Sequence, residues 1–181
     1  MIRAVLLTAL LLSAPAPALA QSREGFGPGP VLADVGPIAP VDSDLALPKG
    51  AKFKIAFDVS AKATPGALSR QIETAARTLN MHVAAGVPQK DVQIVVIVHG
   101  PGAMDLLKPE VYAARNEGKA NGSLDAVRKL LGAGVEFYLC GQTAMGQKIT
   151  KVDLIPGVKM SLSAITAHAV YQQRGYTLNP F

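Results

Sequence analysis

Apolar and polar residues alternate over residues 52–60 (KFKIAFDVS), with Phe53, Ile55, Phe57 and Val59 on one side. That period of two predicts the first β-strand. Thr64-Pro65 then supplies an N-cap followed by proline at the first helical position. Leu68, Ile72, Ala75, Ala76, Leu79 and Val83 recur at helical spacing, so an amphipathic helix is expected to run to about Ala85 and stop at Gly86-Val87-Pro88. Residues 91–99 (DVQIVVIVH) form the most continuous β-branched run in the chain. Such a run is typical of a strand buried on both faces of a parallel sheet.

The second half continues the alternation of strand and helix. Short helical pieces are expected at residues 103–107 and 109–116, then a turn at Asn121-Gly122. Leu124, Val127, Leu130 and Leu131 mark a further helix, closed by Gly132 and Gly134. Residues 135–140 (VEFYLC) read as a strand that carries the single cysteine to a strand-to-helix turn at Gly141-Gln142-Thr143. A short helix to about residue 148, a connection over 151–157 and a short fourth strand at 158–161 follow. Ser161 or Ser163 caps a last helix through Arg174, stopped by Gly175, and Tyr176-Thr177-Leu178 forms a fifth, edge strand. The order predicts an α/β fold, a three-layer α/β/α sandwich with a five-stranded, mainly parallel sheet of flavodoxin-like type. No internal repeat is present.

The ends of the chain modify this picture. Arg3, the apolar run 4–12 and the small-x-small site Ala18-Leu19-Ala20 make residues 1–20 a signal peptide cut after Ala20. The run is shorter than the roughly 20 residues a bilayer span needs, so a periplasmic or secreted protein without a membrane anchor is expected. Residues 21–50 are punctuated by glycine and proline, which excludes helix and central strand. Phe26, Val31, Leu32, Val35, Ile38 and Val41 recur there, so an extended arm laid on its own domain or on a neighbouring subunit is expected. Residues 51–181 then form the domain. The chain carries 18 Lys+Arg against 13 Asp+Glu, a net charge of +5, but its basic residues are scattered and it has no Trp. Nucleic-acid binding, which needs a basic cluster with stacking platforms, is not expected.

One cysteine cannot close an internal disulfide, so the domain depends on its core. Cys140 is either a reactive thiol or a small buried hydrophobe. In the first case the N–H groups of Gly141, Gln142 and Thr143 at a helix start would favour its thiolate. His99 ends the preceding strand at the same sheet edge, either as a base for the thiol or as a turn residue of the Gly100-Pro101-Gly102 loop. His168 reads as a packing or interface residue in the last helix. Asp58 ends the first strand with no acidic partner before it, which excludes a phospho-receiver reading. Gly100 and Gly102 line a loop that lacks both the lysine of a P-loop and the third glycine of a dinucleotide fingerprint, so no nucleotide or flavin cofactor is expected. No histidines or cysteine stand at metal-ligand spacing.

Val96-Ile97-Val98-His99-Gly100, Leu139-Cys140-Gly141-Gln142-Thr143, Leu154-Ile155-Pro156-Gly157-Val158 and the ending Gly175-Tyr176-Thr177-Leu178-Asn179-Pro180-Phe181 together resemble the DsrE/DsrF-like (YchN-like) family. The resemblance covers about residues 52–181 and fits the exported, single-domain branch. It implies a five-stranded parallel α/β/α domain that assembles into homotrimers or hexamers. It also implies a persulfide carried on the residue matching Cys140, exchanged with a sulfur donor and acceptor. A carrier of sulfur and a noncatalytic assembly module with a structural cysteine are the two main functions this leaves, with redox sensing through an intersubunit Cys140–Cys140 disulfide as a third.

Overall fold

The computed structural model describes residues 24–180. The signal-peptide expectation for residues 1–20 lies outside the described residues, as do the first three residues of the arm. Five parallel strands form one sheet: β1 (Phe53–Val59), β2 (Val92–Val98), β3 (Glu136–Cys140), β4 (Lys159–Ser161) and β5 (Thr177–Asn179). Their order is β4-β3-β2-β1-β5. Five helices connect or flank them: α1 (Arg70–Ala84), α2 (Pro109–Ala114), α3 (Leu124–Gly132), α4 (Gly141–Gly146) and α5 (Ala164–Gln173). The three-layer α/β/α sandwich and the edge position of the last strand are as the pattern of strands and helices predicts.

The strand order explains an asymmetry between the two faces. Crossovers between parallel strands are right-handed, and β1 to β4 advance in one direction. Their connections therefore fall on one face, and the single reversed step from β4 back to β5 puts α5 on the other. The buried cores divide in this way. Phe57, Val96, Val98, Phe137 and Leu139 pack with Ile72 and Leu79 of α1, Val127 and Leu130 of α3 and Ala144 of α4. Ala56, Val95, Ile97 and Cys140 pack with Ala164, Ala167 and Tyr171 of α5. In the flavodoxin order, 2-1-3-4-5, strand three flanks strand one; here β5 takes that place, and a single helix is left to cover the second face.

The first helix begins later than Thr64-Pro65 predicts. Thr64 closes a turn instead, its carbonyl accepting from Ala67 N at 2.8 Å, and Gly66 turns the chain at φ +89°. Ser69 is the actual N-cap, its Oγ accepting from Ile72 N. A buried polar cluster holds this start in place. Ser69 N donates to Ser123 Oγ at 2.9 Å, Ser123 Oγ donates to Asp105 Oδ1 at 3.3 Å, and Asp105 Oδ2 accepts from Ala63 N at 3.0 Å. A fully buried carboxylate must be met by donors, and meeting this one displaces the helix start from the proline to the serine.

The Gly/Pro arm lies on its own domain. Leu32 and Val35 are buried against the main core, and Gly27 pairs with Ile38 in an antiparallel bridge. The attachment centres on Asn80, buried in α1. Its Oδ1 accepts from Val31 N and Leu32 N at 3.2 and 3.0 Å. Its Nδ2 donates to the carbonyls of Leu32, Val35 and Gly36 at 2.9–3.0 Å. Only glycine fits above it, because a Cβ at Gly29 would lie 2.0 Å from the Asn80 amide carbon. Removing a side chain that satisfies several buried backbone groups leaves each of them unpaired. Asn80→Ala is therefore expected to destabilise the protein by about 2–4 kcal/mol in chemical denaturation. It should also open residues 24–47 to a nonspecific protease, while Asn80→Ala and wild type retain the same sheet.

Candidate functional site

At the carboxyl edge of the sheet, β3 ends on Cys140 and the chain turns directly into α4. Gly141 makes the turn possible: a Cβ there would stand 2.5 Å from the Ser161 carbonyl oxygen and 3.0 Å from that of Leu162. The connection from β4 to α5 thus passes directly over the turn. Ser161 Oγ shares its one hydrogen between Leu139 O of β3 at 3.2 Å and Ser163 O of the connection at 3.0 Å. Gln142 Nε2 reaches Leu162 O at 3.3 Å. Ser163 caps α5, its Oγ accepting from Thr166 N at 3.0 Å, and so aims the first N–H of α5, on Ala164, toward the thiol. α4 begins at Gly141, with Cys140 at its N-cap.

Cys140 is only 6% exposed. Burial alone would push its thiol upward, but the net displacement is downward, because the N–H groups of Thr143, Ala164 and Gln142 and the Thr143 hydroxyl surround the sulfur. None of them forms a geometrically complete cap to it; together they favour the thiolate. The starts of two helices converge on one sulfur atom.

The Gly100-Pro101-Gly102 loop has its own attachments. Gly100 N donates to Thr143 Oγ1 at 3.0 Å, and Gln147 Nε2 donates to Gly100 O at 2.8 Å, so the loop is tied to α4. Gly102 N donates to Ser60 O at 2.8 Å. Both glycine N–H groups are thereby occupied, and the two glycines support the edge instead of presenting donors to a ligand.

His99 extends the ladder one position beyond Val98, which pairs with Leu139, so it stands across from Cys140 on the neighbouring strand. Adjacent strands are about 4.8 Å apart. By strand alternation His99 faces α5, as Cys140 does. Asp58 shares that face, level with Ile97 of β2. His99 Nε2 lies 3.2 Å from Asp58 Oδ2, and His168 Nε2 of α5 lies 2.7 Å from Asp58 Oδ1. Desolvation alone would raise the Asp58 carboxyl, but the two imidazoles hold it below its ordinary value of 3.8.

Cys140, His99, Gly141, Gln142 and Thr143 therefore meet at one edge, whereas Asp58 and His168 belong to the same cluster without having been read as part of it. The sequence signal was present in the period of two: Asp58 falls out of step with Phe57 and Val59, on the opposite face. Glu136 sits at the far end of β3, where it accepts from Tyr171 at 2.9 Å and pairs with Lys159 at 2.8 Å. Among the described residues, no three of His, Cys, Asp and Glu converge so as to hold a metal ion.

Fold and site together define a parallel α/β/α domain with one thiol at the carboxyl edge of a central strand. The chain belongs to the DsrE/DsrF-like family, whose model matches residues 52–180. Among solved structures it is similar to a protein of unknown function from Methanobacterium thermoautotrophicum, at 18% identity and a TM-score of 0.56, covering 72% of this chain and all of that one. It is also similar to the ychN protein of E. coli, at 13% identity and a TM-score of 0.53, covering 71% of this chain and 99% of that one. At such identities the likeness is one of fold. No curated protein matches the chain.

The depressed Asp58 carboxyl has a pH consequence. A group whose folded value lies below its unfolded one stabilises the fold above the unfolded value and loses that contribution as pH falls through the folded value. Wild type should therefore melt above Asp58→Asn near neutral pH, and the difference should shrink as the pH drops below 3.8. Melting temperature measured against pH for the two proteins checks this.

Proposed function

We propose that this protein is an exported sulfur carrier in which Cys140 accepts a sulfane sulfur as a persulfide and passes it to an acceptor. The observation that carries the reading is the position of Cys140 at the start of α4, set among the N–H groups of Thr143, Ala164 and Gln142 in a chain of the DsrE/DsrF-like family. A thiolate is the nucleophile in sulfur exchange. With thiosulfate as donor, the Cys140 thiolate attacks the outer sulfur, the S–S bond breaks and sulfite leaves with the electron pair. With a persulfide donor, the leaving group is the donor's thiolate. In either case one S–S bond forms and one breaks, and the new terminal sulfur carries the negative charge. Delivery reverses the step on an acceptor thiolate. His99, one position beyond the Val98–Leu139 pair on the strand beside Cys140, is the candidate base for the thiol proton.

Export rests on the charged, apolar and small-residue sequence of positions 1–20. Assembly into a homotrimer or hexamer fits the apolar side chains exposed beside the site, Met145 on α4 with Leu162 and Ile165 at the start of α5. Those side chains equally suit a protein donor or acceptor that must approach the thiol. Among the described residues no helix is long and apolar enough to cross a membrane.

The burial of Cys140 favours a second reading, a noncatalytic assembly module in which the thiol is a packing group. Intact-mass analysis after polysulfide treatment separates the two. Carriage predicts an adduct of one sulfur atom on wild type, absent from Cys140→Ser and removed by a reducing thiol. No adduct on wild type would remove the carrier reading and leave the module.

A further inference from the structure

We propose that Asp58, held between His99 and His168, is a positioning residue that fixes His99 as the proton acceptor for the Cys140 thiol. This rests on Cys140 being the reacting atom, but not on the identity of what it reacts with. The carboxylate's two oxygens are divided between two rings, Oδ1 with His168 Nε2 at 2.7 Å and Oδ2 with His99 Nε2 at 3.2 Å. An ionised carboxylate only accepts hydrogen bonds, and Asp58 is held in its ionised form. Both rings must therefore carry their proton on Nε2, which in the neutral tautomer leaves the lone pair on Nδ1.

The two histidines then differ in what remains. His168 Nδ1 is buried with no hydrogen-bond partner, so that ring serves the cluster as a donor to Asp58 and offers nothing further. The His99 ring is 35% exposed and lies one position beyond the Val98–Leu139 pair, beside the strand that ends on Cys140. Its Nδ1 is the free base of the cluster.

The step balances without a co-reactant. The S–H bond of Cys140 breaks, its proton moves to His99 Nδ1, and the electron pair stays on sulfur. Asp58 meets the charge of the imidazolium, and the N–H groups of Thr143, Ala164 and Gln142 meet that of the thiolate. The titratable groups around His99 are Asp58 from β1, which bonds it, His168 from α5, on the other oxygen of that carboxylate, and Cys140 at the end of the adjoining β3. The nearest other carboxylate on this face of β3, Glu136, is at the opposite end of the sheet and engaged with Lys159. A carboxylate that orients an imidazole and stabilises its charged form also acts on hydroxyl nucleophiles in serine hydrolases, there through Nδ1 with Nε2 as the base; here the two ring nitrogens exchange roles.

The test is the rate of Cys140 alkylation by iodoacetamide against pH, which needs no sulfur donor. Asp58→Asn is expected to slow the reaction about tenfold near neutral pH and to move the profile to higher pH. The same substitution in a His99→Ala background should add no further slowing. His168→Gln, which keeps a donor for Oδ1, should retain most of the rate that His168→Leu loses. Coincident profiles for wild type and Asp58→Asn would overturn the proposal, as would equal slowing with and without His99, or a wild-type thiol that does not react at all. Should Asp58→Asn fail to fold, nitrogen-15 spectra of unsubstituted protein decide: His99 as the Nε2–H tautomer supports the assignment, and as the Nδ1–H tautomer ends it. Persulfide formation can fail while this relay stands, because the alkylation assay contains no sulfane sulfur.

Discussion

The pairing of β3 between β2 and β4 is the constraint on which the rest depends. It sets Val98 beside Leu139 and Cys140 beside Ser161. From the first pair follows the position of His99 opposite the thiol. From the second follows the passage of the β4–α5 connection over Gly141, which brings the start of α5 to the sulfur. A slip of one residue would turn Cys140 to the opposite face, into the core shared with α1 and α3. The continuous apolar strand β2, buried almost throughout, makes such a slip costly, so packing in the middle of the sheet protects the geometry at its edge.

The reversed last crossover matters as much. Because β5 returns to the far side of β1, α5 must cross the face of the sheet diagonally, touching β4 at its start and β5 after its end. That path carries His168 over Asp58, 110 residues away in sequence. It also leaves this face with a smaller core than the other. Ionisable groups can gather there because the side chains that would exclude them are few. The same scarcity of cover leaves Leu162 and Ile165 exposed near the thiol.

Strands, helices and the strand-to-helix cysteine were legible because each is a local pattern: a β-branched run, a 3.6-residue period, a glycine after a strand. Cys140, His99 and the Gly141–Thr143 turn could be placed at one edge from β-α alternation alone. Asp58 and His168 could not be joined, since nothing in a list of strands says which one lies beside β1 or where the last helix crosses. The start of α1 was misread for a related reason. Thr64-Pro65 is a good local signal, and a buried Asp105 that takes its donors from Ala63 and Ser123 overrides it. Asn80 was hidden among apolar helix positions, and only the arm folded against it gives its amide a purpose.

On this account a buried thiol is poised by two helix starts and remains within reach of a small reagent. Titration of the native protein with an Ellman-type disulfide, followed by titration after denaturation, tests that most directly. Reaction of one thiol per chain in the native state, lost in Cys140→Ser, is the result expected. A thiol silent in the native protein and released only on unfolding would contradict the account and leave Cys140 as part of the core.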